Sequence, residues 1–232
     1  MLVLGVDSAT QVAGVAIIED DKLIAEFFFN TVKNHSERLL PMIASILMET
    51  GLEVSDLDGL AVAIGPGSFT GLRIGLATVK GLAHGAQIPV VGIPTLDGLA
   101  WNTYGISGLI CPVLNARRQE VYTALYCWQE GELCRLTPYQ IINPDSLVQL
   151  IKSYNMPVYF LGNGVDHYKE TWQQLGTRAC FMPPTSNRPR AAHIAKLGEE
   201  RLRKGPPDDI FQLKPIYLHS SPAERQNLSK SK

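Results

Sequence analysis

The 232-residue sequence lacks several features that identify common classes of protein. Its four cysteines, at positions 111, 127, 134 and 180, include no C-x-x-C pair, so their spacing indicates neither a zinc site nor a thiol redox motif. No segment approaches the ~18 consecutive apolar residues that a membrane-spanning helix requires, and the first apolar run is too short for a signal peptide. We therefore expect a cytoplasmic protein that makes no membrane contact.

An excess of charge of one sign is also absent. The chain carries 21 lysine and arginine residues against 22 aspartate and glutamate residues, for a net charge of −1. Nucleic-acid-binding domains are usually basic, so this balance gives no indication of direct RNA binding. The basic residues between 188 and 204 are interrupted by Glu199 and Glu200, and we expect contact with RNA only through a partner.

What the sequence does contain is a regular succession of strand and helix patterns. Three short apolar runs separated by polar turns predict an antiparallel meander at the start. The next helix has Asn34 as its cap, Glu37 as the capping-box residue and Gly51 as its stop, with a kink or a later start expected because of Pro41. We predict strands at 2–6, 12–18, 23–29, 60–64 and 90–92, and helices at 34–50, 71–85 and 96–104.

The second part of the chain repeats the order of the first. Asn143 and Pro144 form a typical helix start, with a cap followed by proline. We predict strands at 110–114, 120–128, 133–141, 158–161 and 179–181, and helices at 144–154, 166–175 and 190–203. The chain is thus an α/β protein of two similar β-β-β-α-β-α-β-α halves, at 1–105 and 106–232, and residues from about 223 onward are expected to be mobile.

This duplicated order resembles the actin, sugar kinase and Hsp70 (ASKHA) superfamily, whose halves are of the ribonuclease H-like type. The resemblance implies a cleft between the halves in which relatives bind a nucleotide. The positions that match the nucleotide-contacting loops are Asp7, Thr10, Asn115, Arg117, Gly162 and Gly164. Because asparagine stands at 115, where a carboxylate is expected, we interpret these loops as vestigial.

A glycine-rich block, GPGSFTGLRIG at 65–75, raises the question of phosphate binding. A Walker loop needs a Gly-Lys dipeptide, which the chain lacks, and a dinucleotide fingerprint needs glycine at 70, where Thr70 stands. The block is more simply a tight turn after a strand, with Ser68 or Thr70 capping the following helix. We therefore predict a packing role for these glycines.

The helices on either side of this block are apolar on more than one face, and small residues interrupt the second. Exposed apolar helix surface often marks an interaction site, while packing within the chain is the open alternative. We assign the following residues to a partner interface: Leu39, Met42, Ile43, Ile46, Leu72, Gly75, Leu76 and Val79.

Several segments together resemble the TsaB (YeaZ) family: LGVDSAT, NHSERLLP, the glycine block, KGLAHGAQIPVVGIPTLDGLA and NARRQEVY. The resemblance implies a non-catalytic subunit of the bacterial machinery that makes threonylcarbamoyladenosine next to the tRNA anticodon. It also implies a TsaD-like catalytic partner of the same fold and a TsaE-like ATPase that joins the complex. Contact with tRNA would occur only through that complex, and the isolated chain could form a homodimer.

The resemblance further implies that no metal or other cofactor is bound. TsaD carries two histidines four residues apart that hold its metal, and the register of GIPTLDGLA puts Thr95 and Leu99 at those positions. Leucine cannot ligate a metal, and no other histidines of the chain have that spacing. The alternative is a stand-alone ATP-dependent kinase or transferase of the ASKHA superfamily, which would use Asp7, Thr10 and the LGNG turn at 161–164.

Overall fold

The computed structural model describes residues 1–30, 35–116 and 118–218. The predicted cap Asn34, the loop residue Arg117 and the end of the chain lie outside this range. Within it, none of the helices is both long and apolar enough to cross a membrane. The strands are β1 (Leu2–Asp7), β2 (Val12–Glu19), β3 (Lys22–Asn30), β4 (Gly59–Gly65), β5 (Val90–Pro94), β6 (Leu109–Asn115), β7 (Val121–Thr123), β8 (Tyr126–Gln129), β9 (Glu132–Arg135), β10 (Gln140–Ile142), β11 (Val158–Leu161) and β12 (Ala179–Phe181).

The helices pack on the two sheets that these strands form. They are α1 (His35–Thr50), α2 (Phe69–Ala86), α3 (Thr95–Ala100), α4 (Pro144–Lys152), α5 (Val165–Gln173) and α6 (Ala191–Lys204). Pro41 lies inside α1, so the helix does not start later than this proline. The Asn143 side chain accepts a hydrogen bond from the Asp145 N–H at 2.9 Å, which confirms the predicted cap of α4.

The first sheet has the order β3-β2-β1-β4-β5, with β1, β2 and β3 antiparallel and β4 and β5 parallel to β1. Successive strand residues point to opposite faces of a sheet. Leu4 and Val62 pack on one face with α1 and α2, while Val3 and Ala61 pack on the other face with α6. The predicted meander is therefore confirmed, and α1 and α2 lie side by side on one face.

The second sheet has the order β10-β7-β6-β11-β12, and β8 and β9 form a hairpin beside β6. The sequence predicted one strand at 120–128, but the structure divides it into β7 and β8. Pro112 of β6 lies opposite the break and has no N–H to donate. The Thr123 hydroxyl instead donates to the Pro112 carbonyl at 2.8 Å. The predicted strand at 133–141 is likewise divided into β9 and β10.

The last helix of the chain returns to the first sheet. Helix α6 packs against β1, β2 and β4, and its Ile194 and Ala195 belong to the same core cluster as Val3 of β1. Leu213 enters the core on the other face of that sheet. The predicted division at 105/106 stays a prediction, but the core around the first sheet includes chain from both predicted halves.

Candidate functional site

The turn between β1 and β2, residues 7–10, is the first position at which relatives of this fold would hold a nucleotide. All four of its residues are buried. One Asp7 carboxylate oxygen accepts the Ala9 N–H at 2.9 Å, and the Thr10 hydroxyl accepts the Val12 N–H at 3.1 Å. Aspartate and threonine side chains commonly stabilise turns in this way. The side chains that were candidates for a ligand therefore hold the turn itself.

The glycine block lies directly on this turn. The Ser68 N–H donates to the Ala9 carbonyl at 2.7 Å, and the Ser8 hydroxyl donates to the Gly71 carbonyl at 2.9 Å. A Cβ on Gly71 would lie 2.1 Å from the Ser8 carbonyl oxygen, and one on Gly75 would lie 2.2 Å from Ser8 Oγ. Any side chain at either position would clash, so these glycines permit a close approach between α2 and the chain's own turn.

The start of α2 agrees with the predicted packing role. The Ser68 side chain accepts the Gly71 N–H at 3.2 Å, so Ser68 rather than Thr70 is the cap. His35 at the start of α1 donates from Nε2 to the Thr10 carbonyl at 2.7 Å. The N-terminal ends of both helices thus face the turn at residues 7–10 and cover it.

Asp7 is buried, and only one of its two carboxylate oxygens accepts a hydrogen bond within the described part of the chain. Its second carboxylate oxygen has no hydrogen-bond partner among the described residues. Burial raises the pKa of Asp7 from 3.8 to about 6, and the hydrogen bond from Ala9 offsets only part of this effect. Desolvation of a carboxylate favours its protonated form. A bound phosphate at this position would add further negative charge beside Asp7.

The matching loops of the second half lie together at the ends of β6 and β11. The Asn115 N–H donates to the Asn163 side chain at 2.8 Å, and the Gly164 N–H donates to the Val113 carbonyl at 3.0 Å. Gly162 has a φ of +105°, which favours glycine, and its N–H donates to Asn187. The structure therefore brings Asn115, Gly162 and Gly164 together, while Asp7 and Thr10 are held under α2.

Thr95 and Leu99, at the positions of the TsaD metal ligands, are both fully buried. The Thr95 hydroxyl accepts the Gly65 N–H at 3.0 Å, which fixes the start of the glycine block. Leu99 lies in an apolar cluster and packs beneath Gly162, where a Cβ would come within 2.9 Å of its Cδ2. Within the described ranges, no group of three histidine, cysteine, aspartate or glutamate residues could hold a metal ion.

The eight residues assigned to a partner interface do not lie on the surface, and this corrects the assignment at the level of side chains. The structure buries all of them: Leu39, Met42, Ile43, Ile46, Leu72, Gly75, Leu76 and Val79. Their i, i+3, i+4 spacing is that of a helix stripe that faces a core. In the isolated chain these residues therefore fix α1 and α2 to the sheet and cannot contact a partner directly.

Other residues of the same helices form the outer surface. Leu40 and Met48 of α1 are 54% and 73% exposed, and Ala44 lies between them on the same face. On α2, Ala77 and Gly81 are exposed, and a Cβ on Gly81 would meet no atom within 4 Å. We call these five residues the docking face.

A segment after α6, residues 206–217, borders α2 and is called the strap. The Asp208 N–H donates to the Val90 carbonyl at 2.9 Å, and the Gly92 N–H donates to the Asp208 carboxylate at 2.8 Å. The strap therefore covers β5, the edge strand of the first sheet, which would otherwise offer unpaired backbone groups. Further along the strap, the Ile216 N–H donates to the Ile64 carbonyl at 2.7 Å, so the strap also packs on the end of β4.

Two aromatic residues of the strap reach opposite ends of α2. The Tyr217 ring lies 4.9 Å from that of Phe69, and its hydroxyl accepts a hydrogen bond from Arg73 Nε at 3.0 Å. Phe211 contacts His84 edge-on at 6.1 Å and is 79% exposed. Local sequence patterns could not predict these contacts, because they join residues that are more than a hundred positions apart.

Asp97 has a role that its position near a helix start did not reveal. The hydroxyls of Tyr126 and Tyr139 donate to its carboxylate at 2.7 and 2.8 Å. Burial raises the pKa of Asp97, while the two tyrosine donors act in the opposite direction. Asp97 thus joins α3 of the first half to the second sheet.

Comparisons with known proteins agree with this geometry. The family model of TsaD, described as tRNA N6-adenosine threonylcarbamoyltransferase, matches residues 22–226. The Bacillus subtilis tRNA threonylcarbamoyladenosine biosynthesis protein TsaB is 34% identical over 233 residues, which cover 100% of both chains. The solved structure of YeaZ from Pseudomonas aeruginosa is 27% identical, has a TM-score of 0.82, and covers 94% of this chain and 99% of its own.

A more distant structure confirms the fold class. The ethanolamine utilization protein EutJ from Carboxydothermus hydrogenoformans is 16% identical, with a TM-score of 0.51 over 83% of this chain and 89% of its own. It shares the ASKHA-type architecture that the duplicated element order predicted. Together with the full-length match to TsaB of Bacillus subtilis, these similarities show that the chain belongs to the TsaB family of tRNA threonylcarbamoyladenosine biosynthesis proteins.

Proposed function

We propose that this chain is a non-catalytic subunit that binds and supports a TsaD-like catalytic subunit during threonylcarbamoyladenosine synthesis. The contact between the glycine block and the turn at residues 7–10 carries this proposal. Because Gly71 and Gly75 bring α2 against Ser8, a phosphate could enter this turn only by displacing the start of the helix. The non-catalytic role is also supported by Leu99, which stands at a TsaD metal-ligand position and cannot act as a ligand.

The docking face is the surface that we assign to the TsaD-like subunit. Leu40, Ala44 and Met48 recur every four residues and form one apolar stripe, while most exposed helix positions in soluble proteins are polar. Ala77 and Gly81 on the neighbouring helix leave little side-chain bulk, so a partner helix can approach α2 closely. An apolar patch of this kind typically marks a protein–protein contact.

The strap borders the docking face and extends it. Phe211 and Tyr217 stand at the two ends of α2 and expose part of their rings. Aromatic residues are enriched at interfaces because they bury a large area with few rotatable bonds. A helix packed along Ala77 and Gly81 would therefore lie between two aromatic side chains, which would limit how far it can slide.

The remaining parts of the proposal concern the larger assembly. A TsaE-like ATPase would bind to the complex of the two subunits, and tRNA would be contacted through that complex, in the cytoplasm. The net charge of −1 is consistent with a chain that does not bind tRNA by itself. In the absence of its partner, the chain would cover the docking face by forming a homodimer.

A pair of matched variants tests the docking face. Met48→Asp places a charge on the docking face, and Met156→Asp places the same charge at a site that is 38% exposed on the other half of the molecule. Because an unpaired charge in an apolar interface is unfavourable, we expect Met48→Asp to weaken binding of the TsaD-like subunit about tenfold or more. Met156→Asp should bind like the unmodified chain.

Circular dichroism and urea unfolding establish whether both variants are folded. We expect Met48→Asp to fold, because the Met48 side chain is 73% exposed. Equal affinity of the two variants for the TsaD-like subunit would contradict the assigned face. Loss of binding by both variants would show that the effect of the charge is not specific to the docking face, and would also contradict the assignment.

The alternative function is a stand-alone ATP-dependent kinase or transferase. One observation favours this alternative. Asn115 is exposed and contacts the glycine turn at 161–164, where the parallel strands β6 and β11 end. Ligands in open α/β sheets commonly bind at such strand ends. Magnesium-dependent ATP turnover by the isolated chain, lost on Asp7→Ala, would support this alternative and contradict the non-catalytic role.

A further inference from the structure

Two cysteines face each other across the hairpin formed by β8 and β9. Cys127 of β8 is paired directly with Cys134 of β9. The strands are joined by Glu130 and Gly131, whose φ values are 50° and 84°. Positive φ at both residues is characteristic of a type I′ turn, which fixes the register of a two-residue hairpin. The pairing of the two cysteines therefore follows from the turn.

The two sulfur atoms lie on the same side of the hairpin. Residues directly opposite in an antiparallel pair have Cα atoms about 4.5–5.5 Å apart and point to the same face. A disulfide spans Cα atoms about 4.4–6.8 Å apart. Trp128 and Leu133, the next pair along the strands, pack on the other face with the apolar cluster around Leu99. The hairpin backbone thus already has the spacing that a disulfide needs.

Both cysteines are also accessible. Each is half-buried and is a free thiol in the structure, whereas Cys111 is fully buried. In a two-residue hairpin, the pair closest to the turn, here Gln129 and Glu132, exchanges backbone hydrogen bonds. Hydrogen-bonded and non-hydrogen-bonded pairs alternate along the strands, so the cysteine pair is again a hydrogen-bonded pair, which has the larger Cα–Cα distance. Such a pair has Cα atoms about 5.5 Å apart, so a disulfide can form without moving the strands, and its partial exposure leaves it open to reduction.

We propose that Cys127 and Cys134 are a modification site, a dithiol that forms a reversible intramolecular disulfide by exchange with a low-molecular-weight disulfide such as oxidised glutathione. One cysteine thiolate attacks the glutathione disulfide, forms a mixed disulfide and releases one glutathione. The other cysteine thiolate then attacks the protein sulfur of the mixed disulfide and releases the second glutathione. Two electrons pass from the cysteine pair to glutathione, and the two thiol protons end on the two released glutathione molecules.

The site is connected to the junction between the two halves. Trp128, next to Cys127, donates from Nε1 to the Thr103 hydroxyl at 3.2 Å, and its ring contacts those of Trp101 and Tyr104 at 5.4 and 5.0 Å. A disulfide at Cys127 changes the surroundings of the neighbouring Trp128. Tryptophan fluorescence therefore reports on the reaction in addition to thiol chemistry.

The reaction should accelerate as the pH rises. Burial and the neighbouring Cys134 raise the pKa of the Cys127 thiol, and only the thiolate is nucleophilic. At neutral pH the exchange is accordingly slow, and its rate increases towards alkaline pH.

The test uses the reduced, folded full-length chain and oxidised glutathione. After acid quenching and alkylation, mass spectrometry should show the loss of two thiols and a cross-linked pair of peptides that contain Cys127 and Cys134. The change should reverse on addition of reduced glutathione and should be accompanied by a change in tryptophan fluorescence. Cys134→Ser should instead stop at a mixed disulfide on Cys127.

Cys180→Ser is the matched control, because Cys180 is also half-buried but lies on β12. This variant should form the intramolecular disulfide like the unmodified chain. Accumulation of separate mixed disulfides on Cys127 and Cys134 would overturn the proposal, as would modification of Cys180 while the pair stays reduced. Both results are obtained with the unmodified protein, so they do not depend on the folding of a variant.

Discussion

Asp7 lies in an environment unlike that of an ordinary surface carboxylate. It is buried, one of its oxygens has no partner among the described residues, and its pKa is raised to about 6. Because the folded-state pKa exceeds the 3.8 of the unfolded chain, Asp7 favours folding only at low pH. Its contribution is complete below about pH 4 and is lost as the pH rises through about 6.

Asp7→Asn removes this penalty. The asparagine carbonyl oxygen can still accept the Ala9 N–H, while the buried charge is gone. We expect the free energy of unfolding at pH 7 to increase by on the order of 3 kcal/mol, since the pKa of Asp7 is raised from 3.8 to about 6 and each pKa unit corresponds to about 1.4 kcal/mol. Urea unfolding at pH 7 measures this change. A variant less stable than the unmodified chain would show that the charged form of Asp7 makes a favourable interaction.

The pH dependence of stability gives a second test of Asp7→Asn, because His193 titrates in the same pH range. Burial, followed by the nearby Arg190, lowers the pKa of His193 from 6.5 to about 4. The folded state therefore loses stability as the pH falls from about 6.5 to 4, which opposes the effect of Asp7 in that range. Asp7→Asn removes the opposing effect of Asp7, so stability should fall more steeply with decreasing pH than in the unmodified chain.

At the scale of single elements, helix α2 contains glycines with opposite roles. Gly75 contacts Ser8, whereas Gly81 faces open space. Gly81→Ala should stabilise the chain by about 0.5–1 kcal/mol because alanine is the better helix former. Gly75→Ala should destabilise it by about 1–3 kcal/mol because its methyl group overlaps Ser8. Urea unfolding of the two variants compares them directly, and a change of the same sign in both would contradict the packing role of the glycine block.

The elements also show what local sequence could predict. The meander of the first half, the cap of α4 and strands β11 and β12 followed from periodicity and turn residues, because local interactions dominate there. The break between β7 and β8 did not, since it depends on Pro112 in a neighbouring strand. The pairing of Cys127 with Cys134 was also missed, because a spacing rule for C-x-x-C motifs does not consider hairpin register.

The predicted interface lies on α1 and α2, the helices that also carry the proposed docking face, but the side chains chosen from the sequence are buried. Apolar residues at i, i+3 and i+4 identify the face that a helix buries, and this face packs on the chain's own sheet. The exposed stripe that includes Leu40 and Met48 has fewer apolar residues and a weaker pattern. Sequence alone could not separate the two stripes, because it does not specify how much of each helix the sheet covers.

At the scale of the whole molecule, the strap and α6 connect the end of the described chain to its beginning. Leu213 is buried in the core of the first sheet beside residues of β1 and β4. We expect Leu213→Ala to lower the free energy of unfolding by about 2–4 kcal/mol, the usual range for a buried leucine. The neighbouring Lys214 is exposed, so Lys214→Ala should change stability by less than about 0.5 kcal/mol. Similar small effects of both substitutions on the urea midpoint would show that the strap is not part of the cooperative fold.

We propose that this chain acts by binding a TsaD-like subunit and that the partner carries out the reaction. A calorimetric titration of the chain with the TsaD-like subunit from the same source tests it most directly. We expect saturable one-to-one binding with a negative heat-capacity change, because the apolar docking face would be buried. Absence of binding, with both proteins shown to be folded, would contradict this role.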